Sequence, residues 1–203
     1  MFTGIVQGKF RVIDIEEKPD LKTVVVGLSE KLTTGLRIGA SVSVAGVCLS
    51  VTGIEENNVL FDAMSETLKK TTLGNLPVGS IVNVERSARV GDEIGGHRVS
   101  GHVIGTAEII KIAESENNKA VTFECDRDWM KYIMDKGFVA LDGCSLTVTA
   151  PDQKSGQFTV WFIPETMKTT TFGDKQVGDK VNLEIDPETQ VIVETVERVL
   201  KQK

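Results

Sequence analysis

The sequence predicts a mainly β protein that consists of two tandem small antiparallel barrels with short helices and a helix at the C-terminus. Three observations lead to this prediction: many short runs alternate apolar and polar residues, turn-forming clusters separate them, and a motif of the first half recurs in the second half. A chain of 203 residues is long enough for two domains of about 100 residues each.

An internal repeat organises the whole chain. Residues 46–52 are GVCLSVT and residues 143–149 are GCSLTVT, and the same spacing aligns FTGIV at 2–6 with VSGHV at 99–103. Further along, SETLKKTTLG at 65–74 aligns with PETMKTTTFG at 164–173. Matches that keep one order over nearly the full length indicate a duplicated domain.

Each copy contains several short strands. In the first copy the alternating or valine-rich runs are KTVVVGL, ASVSVAGVCLSVTGI, NVLFDAM and SIVNVERS. Strands that bury one face show this alternation. The turn-forming stretches EENN and NLPVG lie between them. Short strands at this density predict a small antiparallel barrel in each copy.

Short helices are predicted between the strands and at the C-terminus. SETLKKTTLG begins with Ser65 as a candidate N-cap and stops at Gly74, and DRDWMKYIMDKG begins with acidic caps and stops at Gly137. The C-terminal helix has an Asp186 cap and Pro187 at its first position.

One stripe of the C-terminal helix is apolar and must pack on something, because so short a helix is marginal in isolation. The sequence leaves two partners open, an end of its own barrel or the same helix of other subunits. The residues of this apolar stripe are Ile192, Val196, Val199 and Leu200.

These patterns predict a first barrel at residues 1–88, a linker at 89–97, a second barrel at 98–186 and the terminal helix at 187–203. The linker is polar and contains Gly95 and Gly96, which could cradle a phosphate. A nucleotide loop would require a strand before the glycines and a helix after them, so we favour the linker interpretation.

Composition argues against several classes of function. The net charge of −6, a pI of about 5.1 and the lack of a basic stripe do not favour a nucleic-acid partner. No apolar run approaches the roughly 18 to 20 residues that span a bilayer, and the N-terminus lacks the pattern of a signal peptide. We therefore expect a cytoplasmic protein without a membrane segment.

Cysteines and histidines give no sign of a metal or a disulfide framework. Cys48, Cys125 and Cys144 share no CxxC spacing. His97 and His102 are separated by an odd number of positions, so on a strand they would point to opposite faces. We expect reduced thiols, no metal and no cofactor.

The repeated strand presents two small polar side chains on one face in each copy. Because residues two apart share a face, Cys48 and Ser50 lie opposite the apolar residues that fill the barrel, and Ser145 and Thr147 occupy the same places in the second copy. On an isolated strand these would be ordinary surface residues. Their recurrence beside a glycine turn favours a pair of related ligand sites.

The two predicted sites are not equivalent. The second copy has His102 where the first has Ile5, and Asp142 where the first has Ala45. One site is therefore richer in acid and base groups than the other. Such asymmetry suits a reaction in which two similar molecules take different roles.

Several motifs closely resemble the riboflavin synthase family, alpha-chain type, whose members contain lumazine-binding repeats. They are MFTGIV, GVCLSVT, SETLKKTTLGNLPVGSIVNVERS, GDEIGGHRVSGHV, YIMDKGFVALDGCSLTV and IPETMKTTTFGDKQVGDKVNLEID, and together they cover essentially the whole chain. The resemblance implies two six-stranded Greek-key barrels and a C-terminal helix that assembles a homotrimer. The resemblance also suggests lumazine synthase as a partner protein.

The resemblance also implies a reaction. Two molecules of 6,7-dimethyl-8-ribityllumazine exchange a four-carbon unit to give riboflavin and 5-amino-6-ribitylaminouracil, without cofactor or metal. The centre is expected between the N-terminal barrel of one subunit and the C-terminal barrel of its neighbour.

Site residues are carried over by position. His102 is the candidate for proton transfer, with Ser145, Cys48 and Asp142 orienting the substrate or a nucleophilic water, while Phe2 closes over the bound rings. The implied pocket of the first copy contains Gly4, Ile5, Val6, Cys48, Leu49, Ser50, Asp62, Met64, Glu66 and Thr67. The implied pocket of the second copy contains Gly101, His102, Val103, Lys136, Ser145, Leu146, Thr147, Phe162, Ile163, Pro164, Glu165 and Thr166.

Two alternatives compete with the enzyme. One is a lumazine-binding fluorescent protein that catalyses nothing, and the other is a barrel that only scaffolds partners. The polar residues of the second copy favour catalysis. The family pattern usually has Asn where this chain has Ala45 and Thr where it has Ser50, and Cys144 stands where a small aliphatic residue is common.

Overall fold

The computed structural model describes residues 1–114 and 118–202, which form two closed six-stranded antiparallel barrels. The predicted fold class is therefore confirmed. The strands of the first barrel are β1 (Gly8–Lys18), β2 (Leu21–Gly27), β3 (Ser41–Val44), β4 (Val47–Glu55), β5 (Asn58–Met64) and β6 (Ile81–Arg86). Those of the second barrel are β7 (Gly105–Glu114), β8 (Lys119–Glu124), β9 (Phe138–Leu141), β10 (Cys144–Asp152), β11 (Gln157–Phe162) and β12 (Lys180–Ile185).

Both barrels have the same Greek-key topology. Around the first barrel the strand order is β1-β2-β5-β4-β3-β6, and around the second it is β7-β8-β11-β10-β9-β12. In each barrel the last strand returns across the molecule to pair with the third, as β6 does with β3. This correspondence shows that the sequence repeat is also a structural repeat.

The interior of each barrel is filled by the inward face of alternating strands. In β4 the apolar Val47, Leu49 and Val51 are buried, whereas Ser50 and Thr52 are exposed. The core of the second barrel contains a group of phenylalanines, Phe123, Phe158, Phe162 and Phe172. Period-two alternation thus leaves the outward face of the repeated strand polar, as predicted.

Within the described ranges four α-helices accompany the strands: α1 (Glu30–Thr33), α2 (Ser65–Lys70), α3 (Pro164–Thr169) and the longer α4 (Pro187–Leu200). The predicted serine cap is wrong, because Met64 is the N-cap of α2 and Ser65 is its first helical residue. The helix stops at Lys70, before a separate 3₁₀ turn at Thr72–Asn75. The hydroxyl of Thr71 accepts from the Leu73 amide and so starts this turn.

The stretch DRDWMKYIMDKG forms a short 3₁₀ helix, Arg127–Tyr132, in place of the α-helix expected to reach Gly137. The predicted acidic cap is present, because the side chain of Asp126 accepts from the Asp128 amide.

Helix α4 begins as predicted, with the carboxylate of Asp186 accepting from the Thr189 amide at 3.0 Å. Its contacts with its own barrel include a hydrogen bond from the Tyr132 hydroxyl to Glu194 at 3.0 Å and an ion pair between Lys131 and Glu197 at 2.7 Å. The apolar stripe lies outside these contacts, with exposed fractions of 63% for Ile192, 53% for Val196, 49% for Val199 and 64% for Leu200. Within the chain, the stripe is therefore not covered by the helix's own barrel.

None of the helices in the described ranges is both long and apolar enough to span a membrane.

Two buried asparagines join the barrels through equivalent contacts. Asn83 of β6 donates to the Asp142 carbonyl at 3.1 Å and accepts from the Thr171 amide at 2.8 Å. Asn182 of β12 makes the corresponding pair of bonds to the first barrel, at 2.7 and 2.8 Å. The two barrels are thus related by an approximate two-fold axis within one chain.

Candidate functional site

The segment that precedes each barrel lies on the other barrel. The amide of Cys48 in β4 donates to the carbonyl of Gly101 at 2.9 Å, and the amide of Ser145 in β10 donates to the carbonyl of Gly4 at 2.8 Å. Residues 2–6 thus reach the second barrel and residues 99–103 reach the first. We call these stretches the N-strap (2–6) and the M-strap (99–103).

This crossing corrects how the predicted site residues group together. The sequence placed residues 4–6 in the pocket of the first copy and residues 101–103 in that of the second. In the structure Val6 packs on the core of the second barrel and Val103 on the core of the first. Sequence similarity identifies equivalent residues but not the barrel that a connecting segment contacts, so the barrels expected for Val6 and Val103 were exchanged.

Close packing explains the glycine in each strap. Gly4 and Gly101 have φ values of +74° and +80°, which favour glycine. A Cβ on Gly101 would lie 2.5 Å from Cβ of Cys48, and one on Gly4 would lie 2.5 Å from Cβ of Ser145. Each strap therefore lies directly against the polar face of the repeated strand.

A strand opening lies beside the polar face in each barrel. The pairing of β4 with β5 begins at Val51 and Phe61, and that of β10 with β11 begins at Val148 and Val160. The preceding parts of β4 and β10 pair with β3 and β9 on their other side. Backbone groups next to such an opening can hydrogen-bond a ligand that enters between the strands.

Site A is the opening of the first barrel together with the M-strap. The side chains of Cys48 and His102 border an open groove of about 740 Å³ that continues to the first turns of α4. His102 is exposed and Cys48 is half-buried, so both side chains are accessible to a molecule in the groove. The groove is lined by Met1, Cys48, Arg98, Val99, Ser100, His102, Pro187, Glu188, Val191 and Ile192.

Site B is the opening of the second barrel together with the N-strap. Here Nδ1 of His97 lies 2.6 Å from the hydroxyl of Ser145, and the imidazole stacks on Phe138 with ring centroids 5.3 Å apart. Burial lowers the pKa of His97, which favours the neutral imidazole near pH 7. His97 is absent from the predicted site residues because the linker was predicted to include it, although the motif GDEIGGHRVSGHV contains both histidines.

Exposed apolar side chains stand at matching places beside the two openings. Met64 at the N-cap of α2 is 62% exposed, and Ile163 at the N-cap of α3 is 59% exposed. Ile5 of the N-strap is 50% exposed. A flat heteroaromatic ring could pack on such residues while polar groups bind its edges.

Three predicted binding residues turn their side chains into the barrels. Leu49, Leu146 and Phe162 are 4%, 7% and 1% exposed and belong to the hydrophobic cores. Only their backbone groups can face a ligand, because successive residues of a strand point to opposite faces.

Phe2 is buried where the two straps meet, and its predicted closing over bound rings stays a prediction. Its ring is 1% exposed and packs against Val99 and Ala140, with Cys48 at the edge of the cluster. The amide of Phe2 donates to the Val99 carbonyl at 2.7 Å, and the Val99 amide donates back at 3.1 Å. The two backbone hydrogen bonds and the apolar contacts of the ring hold Phe2 between the barrels. Phe2 therefore connects the N-strap to the M-strap.

Asp142 lies at the contact between the barrels. Its carboxylate accepts from the Asn182 amide at 2.8 Å and is 3.6 Å from Nζ of Lys175. Burial raises the pKa of Asp142, and Lys175 opposes this effect. These contacts support a structural role, and the predicted role in orienting the substrate stays a prediction.

The remaining predicted residues have the following contacts, and their roles in binding stay predictions. Asp62 accepts from the Thr23 hydroxyl at 2.7 Å, and Glu66 forms an exposed ion pair with Lys70 at 2.8 Å. Thr67 belongs to α2, and Pro164, Glu165 and Thr166 belong to α3. Lys136 has a φ of +63° in the turn before β9, and its amide donates to the carbonyl of Val148 in β10.

All three cysteines are free thiols. Burial raises the pKa of Cys125 and of Cys144 to about 12, so little of either thiol is present as the reactive thiolate at neutral pH. In residues 1–114 and 118–202 no cluster of three or more His, Cys, Asp or Glu side chains could hold a metal ion.

Comparison with known proteins agrees with this architecture. The model of the lumazine binding domain matches residues 3–87 and again residues 100–186. The chain is 53% identical to riboflavin synthase of Escherichia coli (strain K12), over 98% of this chain and 93% of that protein. It is 46% identical to riboflavin synthase of Buchnera aphidicola subsp. Schizaphis graminum, over 99% of this chain and 96% of that protein.

A solved structure shares the fold. The crystal structure of LumP complexed with riboflavin superposes with a TM-score of 0.85 at 25% identity, covering 92% of this chain and 100% of that one. The matched repeats and the full-length relatives show that the chain belongs to the riboflavin synthase family of proteins with two lumazine-binding domains.

Proposed function

We propose that the chain is a riboflavin synthase, a transferase that converts two molecules of 6,7-dimethyl-8-ribityllumazine into riboflavin and 5-amino-6-ribitylaminouracil. The observation that carries this proposal is the duplicated strand opening with a polar strand face, Cys48 and Ser50 in one barrel and Ser145 and Thr147 in the other, in a chain 53% identical to a riboflavin synthase. The two products together contain every atom of the two substrate molecules. The reaction therefore needs no external oxidant or reductant.

Two binding sites of one design suit this reaction because donor and acceptor are the same compound. Bringing both into contact removes about 7 to 11 kcal/mol of barrier when the geometry is good. The difference between the sites is chemical: site A has His102 and Cys48, and site B has Ser145 bonded to His97. Unequal sites allow one lumazine to lose a methyl proton while the other accepts the nucleophile.

In this proposal His102 is the group that transfers the proton. It is exposed in the groove of site A, beside Cys48, and its amide donates to the hydroxyl of Ser100 at 3.1 Å. The lumazine methyl group is already acidic, so a base of modest strength is sufficient. In this proposal Cys48 and Ser145, on the outward face of β4 and β10, orient groups of the substrate.

We further infer that the enzyme works as a homotrimer in which site A of one subunit faces site B of the next. The uncovered apolar stripe of α4 supports this inference, since it continues into the groove of site A through Val191 and Ile192. Sedimentation of the parent and of Ile192→Asp tests it, with Arg198→Asp, an exposed position of the same helix outside the apolar stripe, as the control. A monomeric parent contradicts the inference.

The domain limits 1–88 and 98–186, the cytoplasmic location and an association with lumazine synthase stay predictions.

One assay distinguishes the enzyme from a lumazine-binding protein without activity. The purified chain is incubated with 6,7-dimethyl-8-ribityllumazine alone, and riboflavin is followed by absorbance. We expect riboflavin and 5-amino-6-ribitylaminouracil in equal amounts. Tight binding without turnover supports the alternative, and neither binding nor turnover supports a scaffold.

A further inference from the structure

Two buried glutamates occupy equivalent positions in the last strand of each barrel. Glu85 of β6 is 3% exposed and Glu184 of β12 is 2% exposed. The contacts described for both carboxylates are with N–H and O–H groups. Burying a carboxylate costs free energy unless its oxygens are hydrogen-bonded. These hydrogen bonds therefore stabilise the two carboxylates in the interior, and the residues that donate them are held in place.

Glu85 binds the N-strap. Its Oε1 accepts from the amide and the hydroxyl of Thr3, both at 2.7 Å, and its Oε2 accepts from the amide of Gly4 at 3.1 Å. The Thr3 hydroxyl in turn accepts from the amide of Ile5 at 3.2 Å. One carboxylate thus orients three consecutive residues of the strap.

Glu184 binds the M-strap in the same way. Its Oε1 accepts from the amide and the hydroxyl of Ser100, both at 2.7 Å, and its Oε2 accepts from the amide of Gly101 at 2.9 Å. The Ser100 hydroxyl accepts from the amide of His102 at 3.1 Å. Glu184 is therefore connected through one hydroxyl to the backbone of the candidate proton-transfer residue.

Each glutamate belongs to one barrel but holds a strap that contacts the other barrel. Glu85 belongs to the first barrel, but the N-strap that it holds contacts Ser145 of the second. Glu184 belongs to the second barrel, but the M-strap that it holds contacts Cys48 of the first.

We propose that Glu85 and Glu184 are crossed positioning residues, each of which shapes the ligand site of the barrel to which it does not belong. Glu184 sets site A, and Glu85 sets site B. This inference rests on the proposed function for the identity of the ligand, but the placement of the straps can be tested without it.

Glutamine is the informative replacement. It keeps the size of glutamate, but its amide group would meet a strap N–H with a donor where the carboxylate has an acceptor. Glu85→Gln and Glu184→Gln should therefore loosen one strap each. Because Glu85 and Glu184 occupy corresponding positions in the two repeated barrels, each variant is the matched control for the other.

The first test uses Cys48 as a reporter of site A in the full chain. Iodoacetamide alkylation is followed by peptide mass mapping, which measures Cys48 separately from Cys125 and Cys144. We expect Glu184→Gln to raise the alkylation rate of Cys48 at least fivefold, and Glu85→Gln to change it less than twofold. Equal effects of both variants, or a larger effect of Glu85→Gln, would overturn the proposal.

Amide hydrogen exchange provides a second readout that does not depend on activity. Glu85→Gln should remove protection from residues 3–6 and Ser145, and Glu184→Gln should remove it from residues 100–103 and Cys48. Exchange that increases around the variant's own barrel and leaves the strap contact unchanged contradicts the crossed arrangement. If a glutamine variant fails to fold, Thr3→Val and Ser100→Ala remove one strap hydroxyl each and should show the same pattern more weakly.

Riboflavin titration connects the straps to binding. The parent should bind at two sites per chain, and each glutamine variant should weaken one of them about tenfold and leave the other unchanged. Glu85→Asp and Glu184→Asp keep the charge and should recover part of the affinity. If the reporter and exchange patterns appear but the parent makes no riboflavin, the positioning role stands and the proposed function fails. If the parent makes riboflavin and the patterns are absent, the positioning role fails alone.

Discussion

The hydroxyl of Ser145 lies 2.6 Å from Nδ1 of His97. This bond connects the linker to the polar face of β10. The two histidines therefore belong to different sites. His97 is buried against Phe138 in site B, and His102 is exposed in site A. The chemistry assigned to His102 and the support given by His97 can therefore be tested separately.

His102→Gln should lower kcat by about 100-fold or more, because general acid–base catalysis contributes about 10² to 10⁴ in rate. Binding of 6,7-dimethyl-8-ribityllumazine should change little, since the exposed imidazole is not buried in a packed contact. Stopped-flow turnover and equilibrium titration measure the two quantities. Full activity in the variant would remove His102 from the mechanism.

Ser145→Ala should destabilise the fold by about 1 to 3 kcal/mol, the cost of leaving a buried polar group unpaired. Nδ1 of His97 would lose its bond to Ser145, and Nε2 has no hydrogen-bond partner in the described part of the chain. Urea unfolding measures the change. Thr147→Ala, exposed on the same strand, is the control and should stay within about 0.5 kcal/mol of the parent.

The lowered pKa of His97 predicts a pH dependence of stability. A histidine whose pKa is lower in the folded state binds protons more readily when the chain unfolds, so its contribution to stability is lost as pH falls below the ordinary value of about 6.5. The free energy of unfolding of the parent should therefore fall more between pH 7.5 and pH 5.5 than that of His97→Gln. Parallel curves for the two proteins would show that His97 does not titrate in this way.

Gly46→Ala should weaken the contact between the barrels. The residue has a φ of +81°, and a Cβ would lie 2.5 Å from the backbone nitrogen of Gly143. Gly39 provides a matched control, with a φ of +84° and nothing within 4 Å of its added Cβ. We expect Gly46→Ala to cost about 1 to 3 kcal/mol more than Gly39→Ala, because overpacking adds to the same backbone strain. Similar melting temperatures for the two variants would contradict this.

Much of the local structure was predictable from residues in one short stretch. The alternation in β4 and β10 placed Cys48, Ser50, Ser145 and Thr147 on the outward face, and the Asp186 cap marked the start of α4. The α2 cap was wrong by one residue, because a serine can also occupy the first helical position.

The location of the straps could not be predicted in this way. The bonds of Gly4 to Ser145 and of Gly101 to Cys48 join residues that are far apart in the chain. The same is true of Phe2 with Val99 and of His97 with Ser145. No local pattern distinguishes a strap that folds onto its own barrel from one that folds onto its twin.

By itself, the sequence determined that the chain is a duplicated β protein with an outward polar face in each copy, because side-chain periodicity and turn residues act over a few positions. Only the tertiary structure decided which residues share a site. That choice depends on hydrogen bonds and packing between the barrels, where buried carboxylates and backbone amides must find partners across the approximate two-fold axis.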